Sequence, residues 1–305
     1  MTGRFIQIVE VGPRDGLQNE KAILSPEIRA EFVRKLEAAG ARRIEAVSFV
    51  HPKYVPQMAG AEEVMAALPA EQGRSRIGLA LNGKGYDRAL GTEVDEVNVS
   101  LSVSTGFGVK NQGLTPDQQI DMLSVIVAGR ANAEGADQGT PSLSATLSCV
   151  WGCPFDGEIS VDQVTDMVGR VAELGVKEIA LADTIGVADP WSVTRKVEAA
   201  RKVASGARLR LHFHDTRNTG LANAYAGIEA GVDILDASVG GIGGCPFAPG
   251  ATGNLATEDL VYALHRGGFE TGYDLDALID TARWISTHLN RPVPSALTRA
   301  GKWPA

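Results

Sequence analysis

The side chains best suited to chemistry fall in a few short segments. His212-Phe213-His214 places two imidazoles at i and i+2. On a strand that spacing sends both rings to one face and turns Phe213 to the other, where it packs. Two parallel imidazoles form a metal clip, or a pair stacked against polar partners, and the residues alone leave both open. An earlier apolar run ends Glu10-Val11-Gly12-Pro13-Arg14-Asp15-Gly16. Arg14 beside Asp15 is either a surface pair, worth under about 1 kcal/mol, or a cation for substrate next to an oxygen ligand for the same metal. The segment Gly240 to Gly253 holds six glycines in fourteen residues and includes Cys245. It lacks a GK[ST] ending, so it is no Walker phosphate loop; its glycines suit a mobile loop or a close approach to a ligand. A thiol, with an ordinary pKa of about 8.5, could transfer a proton there if the site tunes it. Asn254 is an ordinary helix N-cap or an amide-oxygen ligand. Glu45 and Asp183 interrupt otherwise apolar runs. A buried carboxylate is costly without a partner, and Arg14 is the expected partner of Glu45.

These residues need elements to hold them. Short Val/Ile/Leu-rich segments predict strands starting near Phe5, Arg43, Arg76, Asp95, Ser142, Glu178, Arg208 and Asp233. Amphipathic stretches predict helices such as Pro26–Ala39, Pro116–Ala133, Val161–Leu174 and Asn218–Ala230, several closed by Gly40, Gly175 or Gly231 as C-caps. Eight strand-then-helix units recur about every 30 residues, the length of one βαβ crossover. With no Gly-rich dinucleotide turn after the first strand, a closed (β/α)8 TIM barrel is favoured over a doubly wound sheet. We read residues 1–305 as one domain, with an additional C-terminal helix, Leu275–Leu289, packed outside the barrel. In such a barrel chemistry sits where strands end. The residues above cluster at those ends.

Composition narrows the class. The chain has 305 residues, 44% hydrophobic and 22% charged, with a formal net charge of −8. That excludes a strongly basic nucleic-acid surface. No apolar run approaches the roughly 18 residues of a membrane span, and the N-terminus reads as too short and acidic for a signal peptide. Three cysteines argue against a disulfide framework and for a reducing cytoplasm. Cys149 and Cys153, spaced C-x3-C without a second pair, read as structural. His51, His265 and His288 take no role.

The segments VEVGPRDGLQNEK, SFVHPKYVPQM, SCVWGCPFDG, LADTIGVADP, HFHDTRNTG and GGIGGCPFAPGATGNLATEDLVYAL resemble the 3-hydroxy-3-methylglutaryl-CoA lyase family. The likeness runs from about Ile8 to Gly272, and GIGGCPF is specific to the lyase branch of a wider metal-dependent lyase and synthase superfamily. It implies that Asp15, His212, His214 and Asn254 bind a divalent cation, Mg2+ or Mn2+ by the mixed nitrogen and oxygen donors. It implies that Arg14 and Cys245 are catalytic, supported by Glu45 and Asp183, and that Gln18 and Ser48 lie near the substrate. The expected reaction is retro-Claisen cleavage of an acyl-CoA by a homodimer. Two stretches depart from the family pattern. Ser102 to Gln112 replaces the usual Ala-Ser-Glu and Lys-Asn-Ile-Asn, and Ala80 to Gly85 replaces Pro-Asn-Leu-Lys-Gly. A lyase for a related 3-hydroxyacyl-CoA such as citramalyl-CoA is therefore the alternative. A Claisen-type acyl transferase is disfavoured by Cys245 and by the lack of a regulatory domain. The polyanionic CoA needs a basic patch, for which Lys21, Lys53, Lys84 and Lys110 are candidates.

Overall fold

A computed structural model describes residues 3–134, 140–244 and 253–304, without the side chains of 131–134. Eight parallel strands close into a barrel: β1 (Gln7–Glu10), β2 (Arg43–Ser48), β3 (Ser75–Ala80), β4 (Glu96–Ser102), β5 (Ser142–Ser148), β6 (Glu178–Asp183), β7 (Arg208–Phe213) and β8 (Ile234–Ala237). Neighbours follow chain order. Closure comes where β1 pairs on both sides, Gln7 with Ile234 of β8 and Val9 with Arg43 of β2. All six residues of β2 and of β6 are buried, as expected for parallel strands covered on both faces.

The helices form the outer layer: α1 (Pro26–Ala38), α2 (Ala61–Ala66), α3 (Gly83–Leu90), α4 (Thr105–Gln112), α5 (Pro116–Glu134), α6 (Val161–Glu173), α7 (Pro190–Val203), α8 (Gly220–Glu229) and α9 (Thr257–Arg266). Their starts follow from local chemistry. Ser25 caps α1 ahead of Pro26, Ser160 and Gln163 form a capping box on α6, and Asp189 caps α7 ahead of Pro190. Gly40, Gly175 and Gly231 lie at φ of +103°, +86° and +91°, the left-handed geometry expected of them. The expected extra helix is α10 (Leu275–Leu289), which packs on α1 with the Trp284 ring tilted against Phe32 at 5.8 Å between centroids; a short α11 (Leu297–Ala300) follows.

Three details differ from expectation. α8 starts at Gly220, not Asn218, because Asn218 takes a left-handed turn at φ +55° and Asp215 caps Gly220 N at 2.7 Å. The departing segment after β4 is the helix α4, capped by Ser104. Beyond β5, Gly152–Cys153 and Gly157–Glu158 form a small antiparallel ribbon.

The large apolar core lies between strands and helices, around Phe32, Leu36, Ile44, Leu101 and Phe213. Inside the barrel the apolar cluster shrinks to Val9, Val11, Ile77 and Ile234. Charge fills the rest. Arg43 of β2 reaches Glu96 of β4 and Glu178 of β6, each at 2.7 Å. Arg210 of β7 lies 3.5 Å from Glu178 and 3.4 Å from Asp236 of β8. Strands that are not neighbours can meet this way only across the interior. The barrel floor is thus an ionic lattice beneath the mouth.

Candidate active site

The end of β1 sets the site. After Val11 the chain makes one wide turn, Gly12–Gly16, closed by Gly16 N to Val11 O at 3.1 Å. The turn presents Arg14 and Asp15 side by side over the mouth. Arg14 Nη1 donates to Asp15 Oδ1 at 2.6 Å, and Nε donates to Glu45 Oε2 at 2.7 Å. The pairing expected between Glu45 and Arg14 is therefore present. Burial alone would lower the Arg14 pKa, but Glu45 and Asp15 raise it above its ordinary value, so the guanidinium is permanently charged.

His212 and His214 do point the same way, with ring centroids 5.1 Å apart. Asp15, His212 and His214 offer donor atoms that all lie within 4.8 Å of one another. The two rings are held differently. His212 Nδ1 pairs with Asp236 Oδ2 at 3.1 Å, a contact that raises its pKa against the opposing effect of burial. Burial, with His212 adding to it, pushes His214 down to about 4. A neutral imidazole is what a metal requires. Burial would raise the Asp15 carboxyl, yet Arg14 and the histidines hold it well below the usual carboxylate range.

Asn254 is not a helix cap. α9 begins three residues later, at Thr257, and Asn254 instead forms a bridge beside His214. Its Nδ2 donates to Asp15 Oδ2 at 2.7 Å and to Ile242 O at 3.0 Å. Its Oδ1 is buried with no hydrogen-bond partner among the described residues, as is His214 Nδ1. Buried polar atoms are almost always paired, so these orphans mark a place for an absent partner. Two imidazoles, a carboxylate and an amide oxygen suit a divalent cation. The backbone at Asn254 is tightly fitted: Gly243 sits at φ +104°, and a Cβ there would come 2.6 Å from Asn254 Nδ2.

The remaining candidates divide. Ser48 and Gln18 line a cavity of about 820 Å3 that also exposes Arg14, Asp15, His212 and His214. Asp183 does not join this group. Its Oδ1 and Oδ2 accept from Val187 N and Ala188 N, both at 2.9 Å, which shapes the turn into α7. Burial raises its pKa, and those two N–H groups oppose the rise. Cys245 lies outside the described residues. Of the four lysines considered for CoA, Lys84 lines the cavity and Lys21, Lys53 and Lys110 do not, among the described residues. Both departing segments reach the cavity wall, through Asn82 and Lys84 at the start of α3 and Phe107 and Asn111 on α4.

Sequence reasoning missed Asn98, Thr146 and Asp236, which line the same cavity, and the buried Arg210 beside them. A signal was present. Each is polar and spaced by two from another inward-facing residue, namely Glu96, Ser144 and His212, with Asp236 two beyond Ile234.

The HMGL-like family model matches residues 5–285. The chain is 39% identical to the hydroxymethylglutaryl-CoA lyase of Pseudomonas mevalonii, covering 93% of this chain and 92% of that protein. It is 40% identical to the mitochondrial hydroxymethylglutaryl-CoA lyase of Arabidopsis thaliana, over 95% of this chain but 60% of that longer protein. It is 38% identical to the (R)-citramalyl-CoA lyase of Chloroflexus aurantiacus, over 97% of this chain and 95% of the other. An Acinetobacter baumannii HMG-CoA lyase solved with coenzyme A and 3-methylmalate superposes with a TM-score of 0.92 at 38% identity, covering 98% and 96% of the two chains. A match over nearly the whole barrel, on a chain whose β1, β7 and β8 ends converge in this way, makes the protein a member of the HMGL-like family.

Proposed function

We propose that this protein cleaves 3-hydroxy-3-methylglutaryl-CoA to acetyl-CoA and acetoacetate. It is a carbon–carbon lyase, and the convergence of Asp15, His212 and His214 beside Arg14, with the neighbouring Asn254 Oδ1 left unpartnered among the described residues, is the observation that supports the reading. Those four side chains would hold Mg2+ or Mn2+, which when bound supplies Lewis acidity to a substrate carbonyl and hydroxyl. The chain's own groups account for the rest. The tertiary hydroxyl passes its proton to a water in the cavity, the O–H electron pair forms the ketone carbonyl as the C2–C3 bond breaks, the ketone leaves, and the C2–C3 electron pair stays as the thioester enolate. Arg14 stabilises the charge on the enolate oxygen. Cys245 returns a proton to C2, giving acetyl-CoA. Gln18 and Ser48 contact the acyl portion, while Lys84 at the cavity rim offers a charge to CoA. Glu45 holds Arg14, and Asp183 supports the site through the turn it shapes.

Purified protein with Mn2+ and a panel of 3-hydroxyacyl-CoA esters tests this, with release of acetyl-CoA as readout. Hydroxymethylglutaryl-CoA is expected to give the highest kcat/KM. A higher value for citramalyl-CoA, the substrate named for a relative of comparable identity, would reassign the acyl group but not the reaction. No cleavage of any ester would sink it. A cytoplasmic homodimer completes the proposal: three cysteines without a disulfide pattern suit a reducing compartment, and the family resemblance suggests the dimer. Among the described residues no helix is long and apolar enough to cross a membrane.

A further inference from the structure

We propose that Asn98 and Thr146 are positioning residues for Arg14, and that they close a polar floor joining it to the His212 side of the site. This rests on the lyase reading above. The two carboxylate oxygens of Glu45 do different work. Oε2 takes Arg14, with Nε at 2.7 Å and Nη2 at 2.5 Å, while Oε1 accepts from Asn98 Nδ2 at 3.1 Å. Glu45 is 2% exposed, so bulk water does not replace that donor.

The orientation of the Asn98 amide is itself fixed. Only the amide nitrogen can donate to the Glu45 carboxylate, so Nδ2 faces Oε1, and Thr146 Oγ1, 2.9 Å from Nδ2 and 3.1 Å from Oδ1, holds the amide in place from its other side. The same Oγ1 lies 3.5 Å from Arg210 Nη2. Arg210 Nε lies 3.4 Å from Asp236 Oδ1, and Asp236 Oδ2 pairs with His212 Nδ1. Contacts therefore run from Arg14 of the β1 turn, through Glu45 of β2, Asn98 of β4, Thr146 of β5, Arg210 of β7 and Asp236 of β8, to His212 of β7. The two contacts of Arg210, at 3.5 and 3.4 Å, are longer than tight hydrogen bonds.

The fold does not need this pair. Positions 98 and 146 face the barrel interior, where aliphatic side chains such as Val9 and Ile77 pack elsewhere. A buried polar pair is unfavourable unless every atom is partnered, and here the partners are the groups behind the reaction centre. Arg14 has several rotatable bonds, and a misplacement of about 1 Å at a charge-stabilising group can lower a rate by about 100-fold. Asn98 acts through Glu45, so its effect belongs to the bound complex during turnover, not to affinity.

The test uses Asn98→Leu, Thr146→Val and the double variant in metal-loaded enzyme, with kcat, KM, Mn2+ affinity and thermal midpoint measured for each. Asn98→Leu is expected to lower kcat by about 10-fold or more while KM and Mn2+ affinity stay within about threefold. Thr146→Val should lose less, in the same direction. The double variant should be no worse than Asn98→Leu, since both break one link. Asn98→Leu with kcat within about twofold of wild type would overturn the proposal, as would a KM rise at constant kcat, which places Asn98 on the substrate. Losses that simply add would also overturn it. If Asn98→Leu does not fold, Thr146→Val decides by the same kcat-against-KM split. Wild-type enzyme that cleaves no acyl-CoA would remove the lyase reading and this role together, a result read without any variant.

Discussion

Arg14 and Asp183 are both charged groups at strand ends, but their surroundings assign them opposite work. Arg14 keeps part of its guanidinium at the cavity wall after meeting Glu45 and Asp15, so it has donors left for substrate. Arg14→Gln is expected to lower kcat by about 10²–10³-fold, the range for losing one group aimed at developing negative charge. Glutamine keeps one donor for Glu45, so the thermal midpoint should fall little; a collapsed midpoint would mark Arg14 as mainly structural. Asp183 spends both oxygens on the N–H groups of Val187 and Ala188. Asp183→Asn turns one acceptor into a donor facing an N–H, and should cost about 1–3 kcal/mol of stability in denaturant unfolding. Abolished kcat at unchanged stability would return Asp183 to direct catalysis.

At the scale of elements, the joint between β8 and α9 is gripped by two buried carboxylates. Glu10 accepts from Gly12 N at 2.8 Å, Val239 N at 3.0 Å and Thr257 Oγ1 at 2.7 Å, tying the Arg14 turn to the root of the Gly-rich loop. Glu258 accepts from Gly240 N at 3.0 Å. Burial pushes Glu10 up to about 7 and Glu258 up to about 8 from a reference of 4.5. A raised folded pKa means the folded state holds a proton that the unfolded chain has released. The stability it contributes is therefore complete below about pH 4.5 and declines as pH rises towards 8. Glu258→Gln mimics the protonated form. It should remove up to about 1.4 kcal/mol per pH unit of downward slope, so its midpoint should exceed that of wild type at pH 8.5 and match it near pH 5. Parallel midpoint curves from calorimetry would defeat this account. Such joints also show what a sequence conceals. The eight strands were legible because buried parallel strands read as apolar runs, and His212 and His214 because period two puts them on one face. The helical form of Thr105–Gln112 was hidden, since its glycines suggest a loop and its Ser104 cap shows only once the turn is built. The partners of Asn98, Arg210 and Asp236 come from other strands, and single-chain patterns do not pair side chains 24 to 64 residues apart.

For the whole molecule, the site is where the ends of the chain are brought together. Asp15 follows β1, the histidines end β7, and Asn254 precedes α9, with the Asn254–Asp15 contact spanning 239 residues of sequence. This junction concentrates buried polar atoms: among the described residues Asn254 Oδ1 and His214 Nδ1 have no partner, and Asp15 is held charged. An ion held there would draw on Asp15, His212, His214 and Asn254 Oδ1 in the folded state, and it finds no assembled donor set in the unfolded one. Binding that is confined to the native state raises stability by about 2.7 kcal/mol at a hundredfold excess over Kd. The barrel should therefore melt at a lower temperature in EDTA than in excess Mn2+, with the gap growing as Mn2+ rises. The gap should also shrink as pH falls towards 4, where His214 takes up a proton that competes with the ion. Asp15→Asn removes the charged oxygen ligand but keeps an amide of similar shape, so it should erase the Mn2+ response while leaving the EDTA midpoint near that of wild type. This separates metal linkage from general salt effects, which would act on both proteins alike. Equal midpoints for wild type in EDTA and in Mn2+ would show that the converging donors bind no ion, and the proposed chemistry would lose its electrophile.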